Sequence, residues 1–346
     1  MAGPEDTADG TAGDTAGGTV NDAAGRRRTR AAVLVAGALL LGTFALPASS
    51  AAVSGQDRAA TVVPISARAA TAPESAASCP DNGTISLTPD SSDSGPDVQR
   101  IIKRKKLIAG IDTDSYLWGF RNPTNGQLEG FDIDLVHALA KSILGDANAV
   151  TFLSVPTADR ISALQSGEVD VVVRTMTISC PREQQVAFSS PYFDAGQEVV
   201  VPHSSTITGY NATLKGKRVC AATGSTAAGF LQANSFGSTV VPVENQLDCL
   251  VLMQLGQIDA TITDNALGAG QVAQDPTTHL VGGLMDSETY GVAMKLGSTD
   301  LIERVNQVLA DFISSGAWMS DYNTYLRAPL GPDGKPPVVS YATPSG

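Results

Sequence analysis

Between residues 97 and 330 the chain alternates two patterns. Short apolar runs of strand length are followed by longer stretches with apolar residues at every third or fourth position. LIAGID (107–112) predicts a strand, GFDIDLVHALAKSIL (130–144) an amphipathic helix and AVTFLSV (149–155) a strand. ADRISALQSGEV (158–169) predicts a helix ending at Gly167, and VDVVV (169–173) a strand. After QEVVVP (197–202) crosses outward, a second series follows. KRVCAA (217–222), STVVPV (238–243) and DATITD (259–264) predict strands, with helices in STAAGFLQAN (225–234) and NQLDCLVLMQLGQI (245–258) between them. The chain returns through YGVAMK (290–295) and closes with helices in DLIERVNQVLADFISSG (300–316), a core helix by its spacing, and WMSDYNTYL (318–326).

Strands alternating with helices build open, parallel-type sheets, so the predicted class is α/β. The two series repeat one plan, down to SGEVDVVV and LGQIDATIT, where a helix ends at Gly and an Asp opens the next strand. Two lobes of one design, joined by two crossings, leave a cleft at the C-terminal ends of their strands, where open α/β sheets bind ligands. The predicted organisation is lobe one over 97–201 and 285–330, lobe two over 202–284, and a C-terminal tail, 331–346, rich in turn formers.

The first ninety-odd residues follow another logic. Residues 1–30 are mostly Gly, Ala, Thr and Asp and end in RRRTR, which reads as a tail unable to bury a core. Residues 31–53, AAVLVAGALLLGTFALPASSAAV, carry no charge. Positive residues before an apolar stretch mark an export signal or a membrane anchor, with the N-terminus inside. Residues 54–96, rich in Ala, Ser, Thr and Pro, read as an extracellular linker. The predicted location is the outer face of the cell membrane, the protein being anchored by the apolar segment or released after it.

A net charge of −12 over 346 residues argues against a nucleic-acid partner. The four cysteines, Cys79, Cys180, Cys220 and Cys249, form an even set in an exported chain and predict disulfides, with three connectivities open. None of the three histidines lies near a cysteine pair, so neither a metal nor another cofactor is expected.

The stretch RTMTISCPREQQVAFSSPYF (174–193) carries the candidate chemistry. It sets Arg174, Thr175, Thr177 and Arg182 at the C-terminal end of a lobe-one strand, with Asp264 at the equivalent end in lobe two. ATGSTAAG (222–229) places Ser225 and Thr226 at a helix N-terminus, which favours an anion. A guanidinium, several hydroxyls, a helix start and one carboxylate offer places for a carboxylate and an ammonium together, which describes an α-amino acid.

GFDIDLVHALA, DRISALQSGEVDVVVRTMTISCPREQQVAFSSPYF and GKRVCAATGST, in that order, resemble the bacterial extracellular solute-binding proteins, family 3, which take up polar amino acids. The resemblance covers roughly residues 106–326. DVVVRTMTISC, GKRVC, DCLV and the upstream Cys79 are similar to a subgroup, the actinobacterial glutamine-binding proteins associated with protein kinase G. The resemblance implies a periplasmic-binding-protein-like fold and a monomer that closes on glutamate, aspartate, glutamine or asparagine. It implies delivery to an ABC-transporter permease or to a membrane signalling partner. By the same resemblance Arg182 grips the α-carboxylate, Asp264 meets the α-ammonium, Thr175 and Thr177 contact both, and Thr226 with Ser225 meets the carboxylate. Arg160 aligns with a reader of acidic side chains, with Arg121 and Arg174 as further candidates. From the residues themselves, Phe120 reads as cleft wall or, with Tyr116, as a ring stacking on ligand methylenes. Trp118 is expected in the cleft wall. The expected disulfides are Cys220–Cys249, inside lobe two, and Cys79–Cys180, pinning the linker beside the binding motif. The subgroup's lipid-bearing cysteine is missing after the apolar segment.

Dehydratases and murein lyases share this fold, so an enzyme is the alternative. It would need an acid or base facing a scissile bond. The motifs offer no carboxylate beyond Asp264 for that task, no histidine falls in a cleft motif, and Glu183 lies where the motif exits.

Overall fold

The structure is a computed structural model and is described for residues 85–342. The expected tail 1–30, the apolar segment 31–53, the linker up to residue 84 with Cys79, and residues 343–346 lie outside the described residues. Among the described residues no helix is long and apolar enough to cross a membrane.

Strand β1 (Ile85–Ser86) leads into α1 (Pro96–Arg104), β2 (Leu107–Ile111) and a small antiparallel sheet of β3 (Asp114–Ser115), β4 (Gly119–Arg121) and β5 (Leu128–Glu129). Then come α2 (Phe131–Leu144), β6 (Val150–Ser154), α3 (Arg160–Ser166), β7 (Val171–Val172), α4 (Cys180–Glu183) and β8 (Val186–Ala195). The second lobe runs β9 (Gln197–Pro202), β10 (Arg218–Ala222), α5 (Thr226–Ala233), β11 (Thr239–Val243), α6 (Gln246–Gln254), β12 (Ala260–Asp264), α7 (Asn265–Gln274) and β13 (Thr278–Val281). The chain returns through β14 (Glu288–Lys295), α8 (Thr299–Ser314) and α9 (Ala317–Asp321) to β15 (Ser340–Tyr341).

The lobe-one sheet has the order β6-β2-β7-β14-β8 and the lobe-two sheet β11-β10-β12-β9-β13. Each is mixed rather than fully parallel. In each, three strands pair in parallel and one strand (β14 in lobe one, β9 in lobe two) runs antiparallel to them. The edge strand beyond it (β8 or β13) pairs antiparallel with that one and so points the same way as the first three. QEVVVP, expected in lobe one, is β9 and pairs with β12 and β13, so lobe two begins at Gln197. The reason lies at Gly196, where a Cβ would sit 2.4 Å from the Asp286 carbonyl oxygen. The two crossings touch there, and only glycine lets them pass. The expected linker and tail also meet: β1 pairs with β15 in parallel, and Asn306 donates to the Ser86 hydroxyl and the Leu87 carbonyl.

The repeated Gly-to-Asp plan has one physical purpose. Asp170 accepts the backbone N–H of Ile108 at 2.9 Å and pairs with Arg104. Asp259 accepts the N–H of Arg218 at 2.7 Å and pairs with the same residue's guanidinium. Each Asp pins the start of its strand to the start of the parallel neighbour. In lobe one, α2 presents Phe131, Leu135, Leu139 and Ile143 to a core shared with α8 and with Trp118, Tyr192, Phe193, Tyr290 and Trp318. Trp118, expected in the cleft wall, is fully buried in this core.

In lobe two, Cys220 on β10 and Cys249 on α6 form a disulfide 29 residues apart in sequence. Cys180 is also disulfide-bonded, and its expected partner Cys79 lies outside the described residues. Closing a loop of that length with Cys220–Cys249 is worth about 3–4 kcal/mol in the chain-entropy account. Replacing both Cys220 and Cys249 by Ala is expected to lower unfolding free energy by roughly that amount in a urea titration. An unchanged midpoint would show that lobe two does not depend on the crosslink.

Candidate functional site

Both lobes turn the C-terminal ends of their parallel strands toward one cavity of ≈ 390 Å³, mouth included. From lobe one it is lined by Asp112, Thr157, Arg160, Arg174, Thr175, Thr177 and Arg182. From lobe two come Ser225 and Thr226 at the start of α5, Gln246 on α6, and Thr263 and Asp264 at the end of β12. The cavity gathers eight of the predicted site residues: Arg160, Arg174, Thr175, Thr177, Arg182, Ser225, Thr226 and Asp264. Two are not among its lining. Arg121 is exposed and donates to the Gly126 carbonyl inside its own loop. Phe120, on β4, packs edge-on against Tyr116 with ring centroids 4.9 Å apart. The expectation that both read the ligand side chain overlooked that β4 and β5 carry them onto a separate small sheet.

Three guanidiniums in the cavity are almost wholly buried, Arg160, Arg174 and Arg182 being 5%, 4% and 8% exposed. A buried charge must be partnered. Arg174 is in an ion pair with Asp112 at 2.9 Å, and it also donates to Thr157 Oγ1 and across the cleft to Asn245 Oδ1. Among the described residues Arg160 and Arg182 have no ion-pair partner and lean on backbone carbonyls. Arg160 donates to the carbonyls of Thr157, Arg174 and Gly224. Arg182 donates to those of Thr177 at 2.7 Å and Gly224 at 3.1 Å. Burial and the charges of Arg182 and Arg174 hold Arg160 well below the usual guanidinium range, and burial lowers Arg182 despite the nearby Asp264. Two buried cations resting on neutral carbonyls make this end of the cavity a place for an anion.

The lobes meet at Gly224. Its φ of +77° suits glycine, and a Cβ there would lie 2.9 Å from the Cα of Ala158. Beside it, the Ser225 hydroxyl accepts from the Ala228 N–H and so caps its own helix, leaving Thr226 as the hydroxyl at that helix start that faces the site. Asp264 faces Arg182 from lobe two. It accepts from Tyr290 Oη at 2.7 Å and from Gln197, and burial raises its carboxyl above the usual range. Thr175, with φ +40°, is held by its N–H donating to Asp132 Oδ2 at 3.0 Å.

Besides Thr157 and Thr263 in the lining, four residues that shape the site escaped the sequence reading. Asp112 follows β2 in a position that reads as a strand end. Gln246 sits inside a helix whose other residues signal only packing. Glu288 and Gln197 open the two crossing strands. An Asp immediately after the first strand, at a switch point, was the one signal available in the sequence.

Two lobes, two crossings and a charged cavity between them define a receptor that closes over a small polar solute. The chain matches the bacterial extracellular solute-binding proteins, family 3, over residues 107–328, and it belongs to that family. It is similar to the ABC transporter glutamine-binding protein GlnH of Bacillus subtilis (strain 168), 36% identical over 222 residues, 64% of this chain and 81% of that one. It is also similar to the glutamine-binding protein of Geobacillus stearothermophilus, 40% identical over 195 residues, 56% of this chain and 74% of that one. Among solved structures, an ancestral arginine-binding protein bound to glutamine matches with a TM-score of 0.60 at 36% identity, over 64% of this chain and 98% of that one. A solute receptor for L-cysteine from Neisseria gonorrhoeae matches with a TM-score of 0.65 at 26% identity, over 69% of this chain and 96% of that one. These relatives are binding proteins, and the chain is a solute receptor rather than the dehydratase or lyase of the alternative reading.

Asp132 gives the site a pH signature. Burial raises its carboxyl to about 7, although Tyr192 Oη and the Thr175 N–H both donate to it. A carboxyl that holds its proton more tightly when folded contributes stability that is complete below its unfolded pKa, near 4, and lost as pH rises through the folded value. The melting temperature is therefore expected to fall between about pH 4 and pH 7. Asp132→Asn, which cannot ionise, is expected to flatten that fall in differential scanning calorimetry. An equal slope in both proteins would remove Asp132 as its source.

Proposed function

We propose that the protein captures a polar α-amino acid, glutamate, aspartate, glutamine or asparagine, in this cavity and presents the closed form to a membrane partner. One observation supports this above the others: Arg182 and Asp264 face the same cavity from different lobes. A zwitterion bridges them only when the lobes are together, so ligand contacts favour the closed arrangement. The α-carboxylate takes Arg182 and the backbone N–H groups at the start of α5, and the ammonium takes Asp264 with Thr177. The side chain reaches Asp112, Arg174 and Arg160. There an amide finds an acceptor and donors in the Asp112–Arg174 pair, and a carboxylate finds the otherwise unpaired charge of Arg160. The names of the bacterial relatives support glutamine as a member of the ligand set. The partner is an ABC-transporter permease or, following the subgroup resemblance, a membrane sensor linked to protein kinase G. The exported apolar segment 31–53 would keep the receptor at the outer face of the membrane.

Truncating one partner of a desolvated charge pair costs ~2–5 kcal/mol. Arg182→Ala is thus expected to weaken every bound amino acid roughly 30- to 5,000-fold, with circular dichroism unchanged. Asp264→Asn is expected to act in the same direction but more mildly, since Asn keeps an acceptor while losing the charge. Isothermal titration of the four amino acids is the measurement, and wild-type affinity in folded Arg182→Ala would sink the proposal. Arg160→Ala is expected to weaken glutamate and aspartate more than glutamine and asparagine. Equal loss for all four in the same titration would make Arg160 a scaffold residue instead.

A further inference from the structure

The ammonium end of the cavity is backed by three buried residues that do not line it: Gln197, Glu288 and Tyr290. They belong to the two crossings and the return strand. Thr177 Oγ1 donates to Glu288 Oε2 at 2.7 Å, and Thr226 Oγ1 donates to the same oxygen at 3.3 Å. Gln197 Nε2 reaches Glu288 Oε2 at 3.1 Å, Thr226 Oγ1 at 3.0 Å and Asp264 Oδ1. With two hydrogens for three acceptors, the Gln197 amide satisfies the two carboxyl groups first. Its own Oε1 has no partner, and turning the amide over would set that oxygen against both carboxyl groups. Tyr290 Oη spends its proton on Asp264 Oδ2.

The consequence is a matter of proton direction. Thr177, Thr226 and Asp264 do line the cavity. Both hydroxyl protons point away from it, toward Glu288, and both oxygens of Asp264 already accept from behind. A hydroxyl ordinarily rotates to suit its partner, donating or accepting. Here Glu288 removes that freedom, and the wall presents lone pairs only.

We infer that Glu288 is a positioning residue that makes this subsite selective for a primary ammonium over a hydroxyl or keto oxygen at the ligand's α-carbon. An ammonium brings three N–H donors and no acceptor, which complements such a wall. An α-hydroxy acid brings one donor and two lone pairs, which face the lone pairs of Thr177, Thr226 and Asp264. An α-keto acid brings lone pairs alone. The receptor thereby rejects the deaminated counterparts of its ligands, although these carry the same carboxylate and side chain. The inference rests on the amino-acid reading above and specifies how its ammonium is recognised.

The test compares L-glutamine and L-glutamate with their α-hydroxy counterparts by isothermal titration, using the wild type, Glu288→Met, Glu288→Gln and Thr177→Val. Met fills similar space without an acceptor, so the two threonine hydroxyls become free to turn into the cavity and donate. Glu288→Met is expected to reduce the amino-to-hydroxy affinity ratio by about ten-fold or more, the scale of one hydrogen bond to a charged group. Glu288→Gln keeps an oxygen for the threonine protons and is expected to hold the ratio near that of the wild type. Thr177→Val leaves the crossings untouched, removes one oriented oxygen and is expected to lower the same ratio. A folded Glu288→Met protein with the wild-type ratio overturns the inference while the amino-acid reading stands. If Glu288→Met does not fold, a wild-type ratio in Thr177→Val overturns it equally. Failure of the wild type to bind either amino acid overturns the amino-acid reading and the inference with it.

Discussion

The carbonyl oxygen of Gly224 is a point where the two lobes are joined through buried charge. Arg160 and Arg182 reach it from lobe one, and its own residue stands at the mouth of α5 in lobe two. Two buried cations that rest on backbone carbonyls, with no ion-pair partner among the described residues, are under-compensated. The backbone at Gly224 can come this close to Ala158 only because it has no side chain and adopts a left-handed conformation. The remaining polar architecture at this end follows from that shortage. Thr157, the ends of β7 and α4, and the free N–H groups of α5 are arranged around a deficit that an anion fills.

Across the cavity the polarity is reversed. Asp264 and Glu288 lie close enough that burial, helped for Glu288 by the charge of Asp264, raises both carboxyls. The site is therefore divided into a donor end and an acceptor end. The division coincides only in part with the division into lobes, because Thr177 and Arg182 are both lobe-one residues while serving opposite ends. The ion pair between Arg174 and Asp112 lies apart from both, internally balanced. A zwitterion with a polar side chain has this same arrangement of charge.

The fold was legible in the sequence where periodicity carries the signal. Each helix of the two repeated series is found close to its expected limits, because one face of each packs on a sheet. The antiparallel strands were harder to see. VAFSSPYFDA is a ten-residue strand, β8, but its serines and proline hide the alternation. The Ser189 hydroxyl is satisfied by donating to the Ser190 carbonyl and accepting from the Val292 N–H, and Asn306 accepts from the Ser190 N–H. α7 was passed over because its apolar content is mostly Ala and Gly, which pack tightly yet give little amphipathic contrast. In the site, the residues on the strand-end motif and at the α5 start could be read from their spacing. Arg121 and Phe120 fall outside the cavity lining, and spacing does not show that their short strand leaves the main sheet. Glu288 and Gln197 act from behind the wall, through other side chains, and nothing in the order of residues announces a contact spanning ninety-one positions.

The place of β14 in the lobe-one sheet has a consequence for how the chain comes to be folded. It lies between β7 and β8, in the interior of the sheet, although it is made only after all of lobe two. A chain emerging from the ribosome or the export channel N-terminus first holds β2, β6, β7 and β8 with their central neighbour missing. Lobe two is one uninterrupted segment from Gln197 to Val281 and can settle on its own contacts. Lobe one must wait for residues 288–295 before its sheet closes, and its assembly carries the larger loop-closure entropy. During that interval β7 and β8 expose unpaired edges, which are templates for pairing with other chains. The late-arriving strand therefore makes the length of the inserted lobe, and the speed with which that lobe becomes compact, a determinant of how much protein escapes aggregation.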